Sequence, residues 1–363
     1  MEQKPQNDLL LRAANCLPVE RVPVWMMRQA GRSDPLYRKI RQETNLPLER
    51  LFRTCPGPDP HTDVELAVEI SLLPKRIGVD AIIVYKDILT PLASMGTYFR
   101  FDPGPYLNPP IRKKEQIDGL KPLDNPEIQL EYTGNVIHTL RETLNGELPL
   151  IGFAGAPLTL AFFLIAGESP MKKGEGISDK AKPVFEMMKS EPDLMHCLLD
   201  KLTEMTIQYL NFQISQGVQI VQLFESIADV LSSENYKTFA LPYHQRIFSA
   251  INSQAPAILF AKECPYIDLM RDSGANVLSI GKCLNLKKVK AEVNDKIAIQ
   301  GNVDNDILRD GSISDITDVV HTCLEQGGKV GHILNLSHGL HRDTPFENVE
   351  HFVKVAKSFK EDK

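Results

Sequence analysis

No C-x-x-C pair occurs among the six cysteines Cys16, Cys55, Cys197, Cys264, Cys283 and Cys323. Neither a zinc knuckle nor a disulfide framework is therefore spelled out, and reduced thiols in a cytoplasmic protein are expected. There is no H-E-x-x-H among the nine histidines and no G-x-G-x-x-G, which leaves no signature for a zinc protease or a dinucleotide fold. The run Lys172-Lys173-Gly174-Glu175-Gly176 lacks both the P-loop motif and its strand and helix context, and reads as a mobile charged loop. Long apolar runs are missing too. The most apolar stretch, Pro149 to Gly167, is interrupted by Gly155-Ala156-Pro157 and is core rather than a membrane span. The opening Met1 to Asp8 lacks the apolar stretch of a signal peptide, and the end at Lys363 matches no retention or lipidation signal. With 41 Lys+Arg against 47 Asp+Glu, the formal charge is -6, so no global basic field attracts nucleic acid or an anionic membrane. Anion binding would need a local cluster.

What the chain does contain is a recurring unit. Of its 363 residues, 42% are hydrophobic and 24% charged, the balance of a folded globular protein. Short apolar runs of strand length recur at Val22 to Met26, Ala81 to Tyr85, Leu150 to Ala154, Gln219 to Phe224, Ala257 to Phe260, Asn276 to Ile280, Lys296 to Gln300 and Gly331 to Leu336. Amphipathic stretches follow several of them. Leu194, Leu198, Leu202, Met205, Tyr209 and Phe212 form one helical stripe behind Pro192-Asp193, and Phe346, Val349, Phe352 and Val353 mark a closing helix. Methionines such as Met187 and Met188 read as core fillers. Strand then helix, repeated, means parallel pairing. The fold class is therefore α/β, a single-domain (β/α)8 TIM-type barrel over residues 8–360 with disordered termini at 1–7 and 361–363, and an open doubly wound sheet is the competing architecture. The proline-rich stretch Pro103 to Pro126 reads as an ordered excursion.

A barrel gathers the strand ends on one face. The first carries Met27-Arg28-Gln29-Ala30-Gly31-Arg32 and leads to Arg38 and Arg41. Such a cluster is either an anion clamp, because the guanidinium fork binds carboxylate bidentately, or a charged helix face. Asp87, emerging from a buried strand, could accept ligand N–H groups or stabilise developing positive charge, or could simply cap the next helical turn. His338 reads equally as a base, a ligand donor or a satisfied turn residue.

The block Pro23-Val24-Trp25-Met26-Met27-Arg28-Gln29-Ala30-Gly31-Arg32 resembles the uroporphyrinogen decarboxylase family. So do Asp87-Ile88-Leu89, the segment Pro149 to Pro157, Leu223-Phe224-Glu225-Ser226, Phe239 to Tyr243, Gln300-Gly301-Asn302 and Asn335 to Gly339, in the family's order over roughly residues 8 to 360. The resemblance implies a cofactor-free, metal-free (β/α)8 barrel, a homodimer in the cytoplasm. Its implied activity removes the four acetate carboxyl groups of uroporphyrinogen III to give coproporphyrinogen III in haem biosynthesis. It implies Asp87, Arg28 and Arg32 as catalytic residues. Arg28, Ala30, Arg32, Arg41, Asp87, Phe163, Ser226 and His338 become the substrate contacts, with Phe163 standing where the family has a tyrosine. Other departures are Ser33 and Asp34, the latter placing negative charge beside the clamp; Lys86 for serine; Asp229 for glycine; Gly281 for aspartate; Ser337 for glycine; and a lengthened, proline-rich Cys55 to Asp63. Two further readings accompany this one: a non-catalytic paralogue that binds tetrapyrrole, and a barrel methyltransferase, which would need a His/Cys zinc set.

Overall fold

Seven strands run parallel and in chain order around one sheet: Ile82–Ile83, Leu150–Gly155, Ile220–Glu225, Ala257–Ala261, Val277–Ser279, Ala298–Gln300 and His332–Ile333. The computed structural model describes residues 5–55, 61–171, 176–251, 254–294 and 296–360, with 61 and 62 given by backbone alone. The charged run at 172–175 and most of the lengthened segment after Cys55 lie outside these residues.

The eighth stave is the stretch expected at Val22 to Met26. It is reduced to a single parallel bridge, Val24 to Leu334. Trp25 N–H donates to Leu334 C=O (3.3 Å), Leu334 N–H to Pro23 C=O (2.9 Å) and, on the other side, Asp80 N–H to Val24 C=O (2.8 Å). The stave thus lies between the last and first strands and closes the barrel. It stays short because Pro23 has no N–H to give and the Val24 N–H goes to the Asp80 carboxylate (2.8 Å) instead of a ladder partner. Arg21 grips both oxygens of that buried carboxylate at 2.6 Å.

Alternation along the strands sorts two cores. Trp25, Ala81, Ile151, Ile220, Ile258, Phe260, Val277, Ala298 and Ile333 face the barrel interior, where Leu10 and Ala14 of helix Leu9–Ala14 join them. Their neighbours Val24, Ile82, Leu150, Val221, Leu223, Leu259, Leu278, Ile299 and Leu334 face the surrounding helices. Strands buried on both faces read as continuous apolar runs, which is why they stood out in the sequence. One interior layer is polar. Trp25 Nε1 donates to Gln300 Oε1 (3.0 Å), and Gln300 Nε2 donates to Gln222 Oε1 and Ser279 Oγ (2.9 Å each).

The long stripe forms helix Pro192–Ser215 and the closing helix spans Phe346–Ser358. Gln213 stitches the long helix to the barrel, donating to Phe153 C=O (2.9 Å) and accepting from Phe153 N–H (3.0 Å). The proline-rich excursion holds a two-stranded ribbon, Arg100–Phe101 with Pro105–Tyr106. It is tied to helix Pro157–Ala166 through Ile111 N–H to Leu164 C=O (2.9 Å). At the N-terminus, the Gln6 and Asn7 N–H groups donate to Gly146 and Glu147 carbonyls (2.7 and 3.1 Å), which ties part of the stretch expected to be disordered to the loop before Leu150. None of the helices among the described residues is long and apolar enough to cross a membrane.

Candidate active site

Inward register decides which side chains reach the carboxyl-end mouth of the barrel. After inward Ala81 and Ile83, side chains two and four residues on are Tyr85 and Asp87; after Phe260 comes Lys262; after Ile333 and Asn335 comes Ser337. Residues of the opposite parity point to the helices. Lys86 is buried there with its ammonium 4.1 Å from the Tyr132 ring centre, a cation–π contact, so its charge faces away from Asp87.

Arg28 follows inward Met27 in a left-handed conformation (φ 63°), a strained backbone for a side chain of its size. The turn is held by Gln29, whose Oε1 accepts from Met26 N–H (3.0 Å) while its Nε2 donates to Ala81 C=O (3.0 Å). The Arg28 stem lies on Gly339. A Cβ at that glycine would come within 2.5 Å of Arg28 Cδ, so only glycine admits the arginine there. Arg28 is open to solvent yet crowded by protein. Desolvation and the neighbouring Arg32 charge lower its pKa, with Asp87 opposing them. Among the described residues, neither Arg28, Arg32 nor Arg41 makes an ion pair or a side-chain hydrogen bond.

Asp87 fills the capping role expected of it. Its Oδ1 caps the following turn by accepting from Leu89 N–H (2.9 Å). Burial nevertheless pushes the carboxyl from 3.8 up to about 6, against the Leu89 hydrogen bond and the Arg28 charge. His338 sets its ring edge-on to Phe260, centroids 5.8 Å apart. Burial, then the charges of Arg28 and Lys262, push it down to about 3. So weak a base stays neutral at physiological pH and is a poor proton acceptor, which favours a hydrogen-bonding role.

Arg28, Arg32, Asp87 and His338 therefore form one electrostatic group, with Arg41 acting on Tyr85 beside it. Ala30 is buried in the outer core nearby. Ser226 and Phe163 are not joined to this group by any hydrogen bond or ring contact among the described residues. Ser226 N–H donates to Thr159 Oγ1 (2.8 Å), and Phe163 meets the edge of Phe99 at 6.4 Å. Behind Ser226, buried Glu225 accepts from Thr159 and pairs with His244 Nε2 (3.0 Å).

Several departures have local explanations. The expectation that Asp34 disturbs the clamp is corrected. Its buried carboxylate caps helix Pro35–Thr44 through Leu36 N–H (2.8 Å) and is held by Arg76 through both oxygens at 2.7 Å. Asp229 pairs with Lys262 (2.9 Å), a mouth-facing cation absent from the expected site. At Gly281 a Cβ would stand 2.6 Å from the Glu263 carboxylate, which accepts from the Lys282 and Cys283 N–H groups (3.1 and 2.9 Å). An acidic group thus occupies that corner from the neighbouring strand end. Ser337 Oγ donates to Asn305 Oδ1 (3.1 Å) in the interior.

A sequentially wound parallel barrel with titratable side chains gathered at the carboxyl ends of its strands has the layout of a barrel enzyme. The profile of the family described as Uroporphyrinogen decarboxylase (URO-D) matches residues 5–359. The chain belongs to the uroporphyrinogen decarboxylase family. It is 38% identical over 361 residues to uroporphyrinogen decarboxylase of Gloeobacter violaceus, covering 97% of each chain. To that of Microcystis aeruginosa it is 36% identical, with 99% of each covered. Among solved structures, a methyltransferase from Methanosarcina mazei superposes with a TM-score of 0.79 at 22% identity, over 98% of this chain and 99% of the other. At that identity the likeness is one of fold. No group of three His, Cys, Asp or Glu side chains that could hold a metal ion occurs among the described residues.

Proposed function

We propose that this chain decarboxylates the four acetate arms of uroporphyrinogen III in turn, leaving methyl groups and giving coproporphyrinogen III and CO2. One observation carries the reading: Arg28, which faces Asp87 and Arg32, and Arg41, which acts on Tyr85 beside them, make no ion pair among the described residues, and neither does Arg32. Cations left without a protein partner at a barrel mouth call for an anionic ligand, and a substrate with eight carboxylates supplies one.

The chemistry suits those residues. A proton added to a pyrrole carbon turns the ring into an electron sink. The bond to the acetate carboxylate then breaks, its electrons flow into the ring and CO2 leaves. A second proton on the exposed methylene completes the methyl group while the ring proton departs. Asp87 accepts the ring N–H groups and stabilises the cationic pyrrole. Arg28, Arg32 and Arg41 hold substrate carboxylates that are not leaving, and neutral His338 donates to another. The backbone at Ala30, the Ser226 hydroxyl and the ring of Phe163 complete the substrate contacts in this reading. A cytoplasmic homodimer belongs to it as well; Leu36, Tyr98 and Tyr106, among the large apolar side chains left exposed, support the dimer, and light scattering tests it.

The test of activity is anaerobic incubation of the purified protein with uroporphyrinogen III, followed by chromatography of the oxidised products. Progressive appearance of seven- to four-carboxylate porphyrins is the expected result. Persistence of the eight-carboxylate species alone in correctly folded protein would overturn the reading and point to a tetrapyrrole binder without turnover.

A further inference from the structure

Beside Asp87 stands a polar pair that the decarboxylation scheme leaves unused. Tyr85 lies two residues before Asp87, just past the strand end, and its hydroxyl is 2.7 Å from that of Tyr37 on helix Pro35–Thr44. Two phenol hydroxyls carry two protons, and a single hydrogen bond between them uses one. The other proton has no acceptor among the described residues. On the same helix, Arg41 turns Nη1 into the protein, where it is buried without an acceptor. The electrostatic influence of both Arg41 and Asp87 reaches Tyr85. Tyr85 is half-buried and Tyr37 buried. The hydroxyl on the strand end is therefore the more accessible, with Tyr37 behind it.

We propose that Tyr37 donates to Tyr85, and that Tyr85 and Arg41 together donate to one carboxylate of the bound tetrapyrrole, so that the tyrosine pair is a substrate-orienting element of the site. This rests on the tetrapyrrole reading above. The chemistry selects the ligand group. With its oxygen engaged by Tyr37, Tyr85 has its own O–H left to give, and the guanidinium beside it can only donate, so the two together match a carboxylate rather than a pyrrole N–H. They also select which carboxylate. Donors that stabilise a carboxylate's charge oppose its loss as neutral CO2, so the group held here is one that stays on the substrate during that turn. The tyrosines accordingly affect binding and orientation more than the bond-breaking step.

The test uses Tyr85→Phe and Tyr37→Phe, which keep the ring packing of Tyr85 on Phe52 (5.3 Å between centroids) and of Tyr37 on Tyr85 (5.8 Å). Steady-state decarboxylation is measured with uroporphyrinogen III, and binding by fluorescence titration with the oxidised octacarboxylate uroporphyrin. Tyr85→Phe is expected to weaken uroporphyrin binding and raise KM by about tenfold, the value of one hydrogen bond to a charged group, with kcat within about twofold. Tyr37→Phe is expected to cost about two- to threefold, and the double variant to match Tyr85→Phe, because Tyr37 acts only through Tyr85. A purely structural pair would lower Tm without moving KM. Unchanged binding and KM in Tyr85→Phe, or a fall confined to kcat, overturns this proposal while leaving the decarboxylase reading intact. A wild-type protein that neither binds uroporphyrin nor releases CO2 overturns that reading and this proposal with it.

Discussion

Replacing Asp87 by asparagine should make the protein more stable and nearly inactive, two consequences of one arrangement. Burial raises this carboxyl from 3.8 to about 6, and a difference of about two in pKa corresponds to roughly 3 kcal/mol by which the fold disfavours the ionised form. The direction with pH follows. Well below 3.8 the group is protonated in both folded and unfolded chains and its ionisation costs nothing. Between 3.8 and about 6 the unfolded chain ionises while the folded one resists, and above about 6 the full penalty is present. Asp87→Asn carries no charge at any pH, and its amide oxygen can still accept from Leu89 N–H. Its advantage over the wild type should therefore widen by roughly 2 kcal/mol between pH 4.5 and 7.5. Loss of the favourable Arg28 interaction, weakened by solvent at that open guanidinium, offsets a part. Thermal denaturation of both proteins at the two pH values reads the stability, and CO2 release reads function, expected to fall about 100-fold or more when the anion facing the cationic pyrrole is removed. An advantage that does not change with pH would show that Asp87 ionises like an ordinary carboxylate. Undiminished turnover would remove it from the mechanism.

Gly339→Ala should drive the Arg28 stem from its place, since the new Cβ would stand 2.5 Å from Cδ; kcat/KM should fall about tenfold or more while Tm moves little, because a flexible side chain yields before the backbone does. Asp34→Ala should do the opposite. It removes a helix cap and the partner of Arg76 in one step, so a chemical denaturation curve should show a loss of about 2–4 kcal/mol, with KM for uroporphyrinogen III nearly unchanged in the protein that remains folded. Because Asp87 must be ionised to receive ring N–H groups, kcat/KM should fall as pH drops below about 6, with no further limb from His338, whose pKa near 3 keeps it neutral across that range. A limb that persists in Asp87→Asn would assign the titration to another group.

The barrel was legible because both faces of its strands are buried, which turns each into a short unbroken apolar run. The stave at Val24 was legible as a run but not as a bridge, since its ladder is curtailed by Pro23 and by the Asp80 carboxylate, which takes the Val24 N–H. Asp87, Arg28 and His338 stood out because polar residues directly after a buried strand have few other places to go. Alternation leaves the direction of Lys86 open when read from the sequence, because its resting place over Tyr132 depends on the helix Glu131–Leu144, about 45 residues later. Sequence reading placed Asp34 beside Arg32 by number, whereas its actual partner, Arg76, is brought in by the next helical unit. The same holds for Glu263 filling the corner at Gly281 and for Tyr37 meeting Tyr85. Contacts within one strand end are local and readable, while contacts between strand ends require the barrel's curvature.

That distinction bears on why the mouth arginines make no ion pair among the described residues while several scaffold arginines do. Arg21 is held by Asp80, Arg50 by Asp63 and Arg76 by Asp34, each on a carboxylate buried in the scaffold. At the mouth the protein offers three guanidinium groups and, among them, an acid with a pKa already raised to about 6. In the proposed reaction the ligand brings eight carboxylates to that acid. Without compensation their repulsion would push Asp87 further up and protonate it, leaving no anion to face the cationic pyrrole. Arginines already neutralised by the protein could not prevent this. Unpaired ones can, because each substrate carboxylate they take is removed from the field that Asp87 experiences. In the proposed reaction the arginines would thus act on the chemistry as well as on affinity, by keeping Asp87 ionised once substrate is bound. It also accounts for the placement of the lysines. The Lys262 charge is spent on Asp229 and that of Lys86 faces a ring on the helix side, so the cations left for substrate are the ones whose forked geometry matches carboxylate.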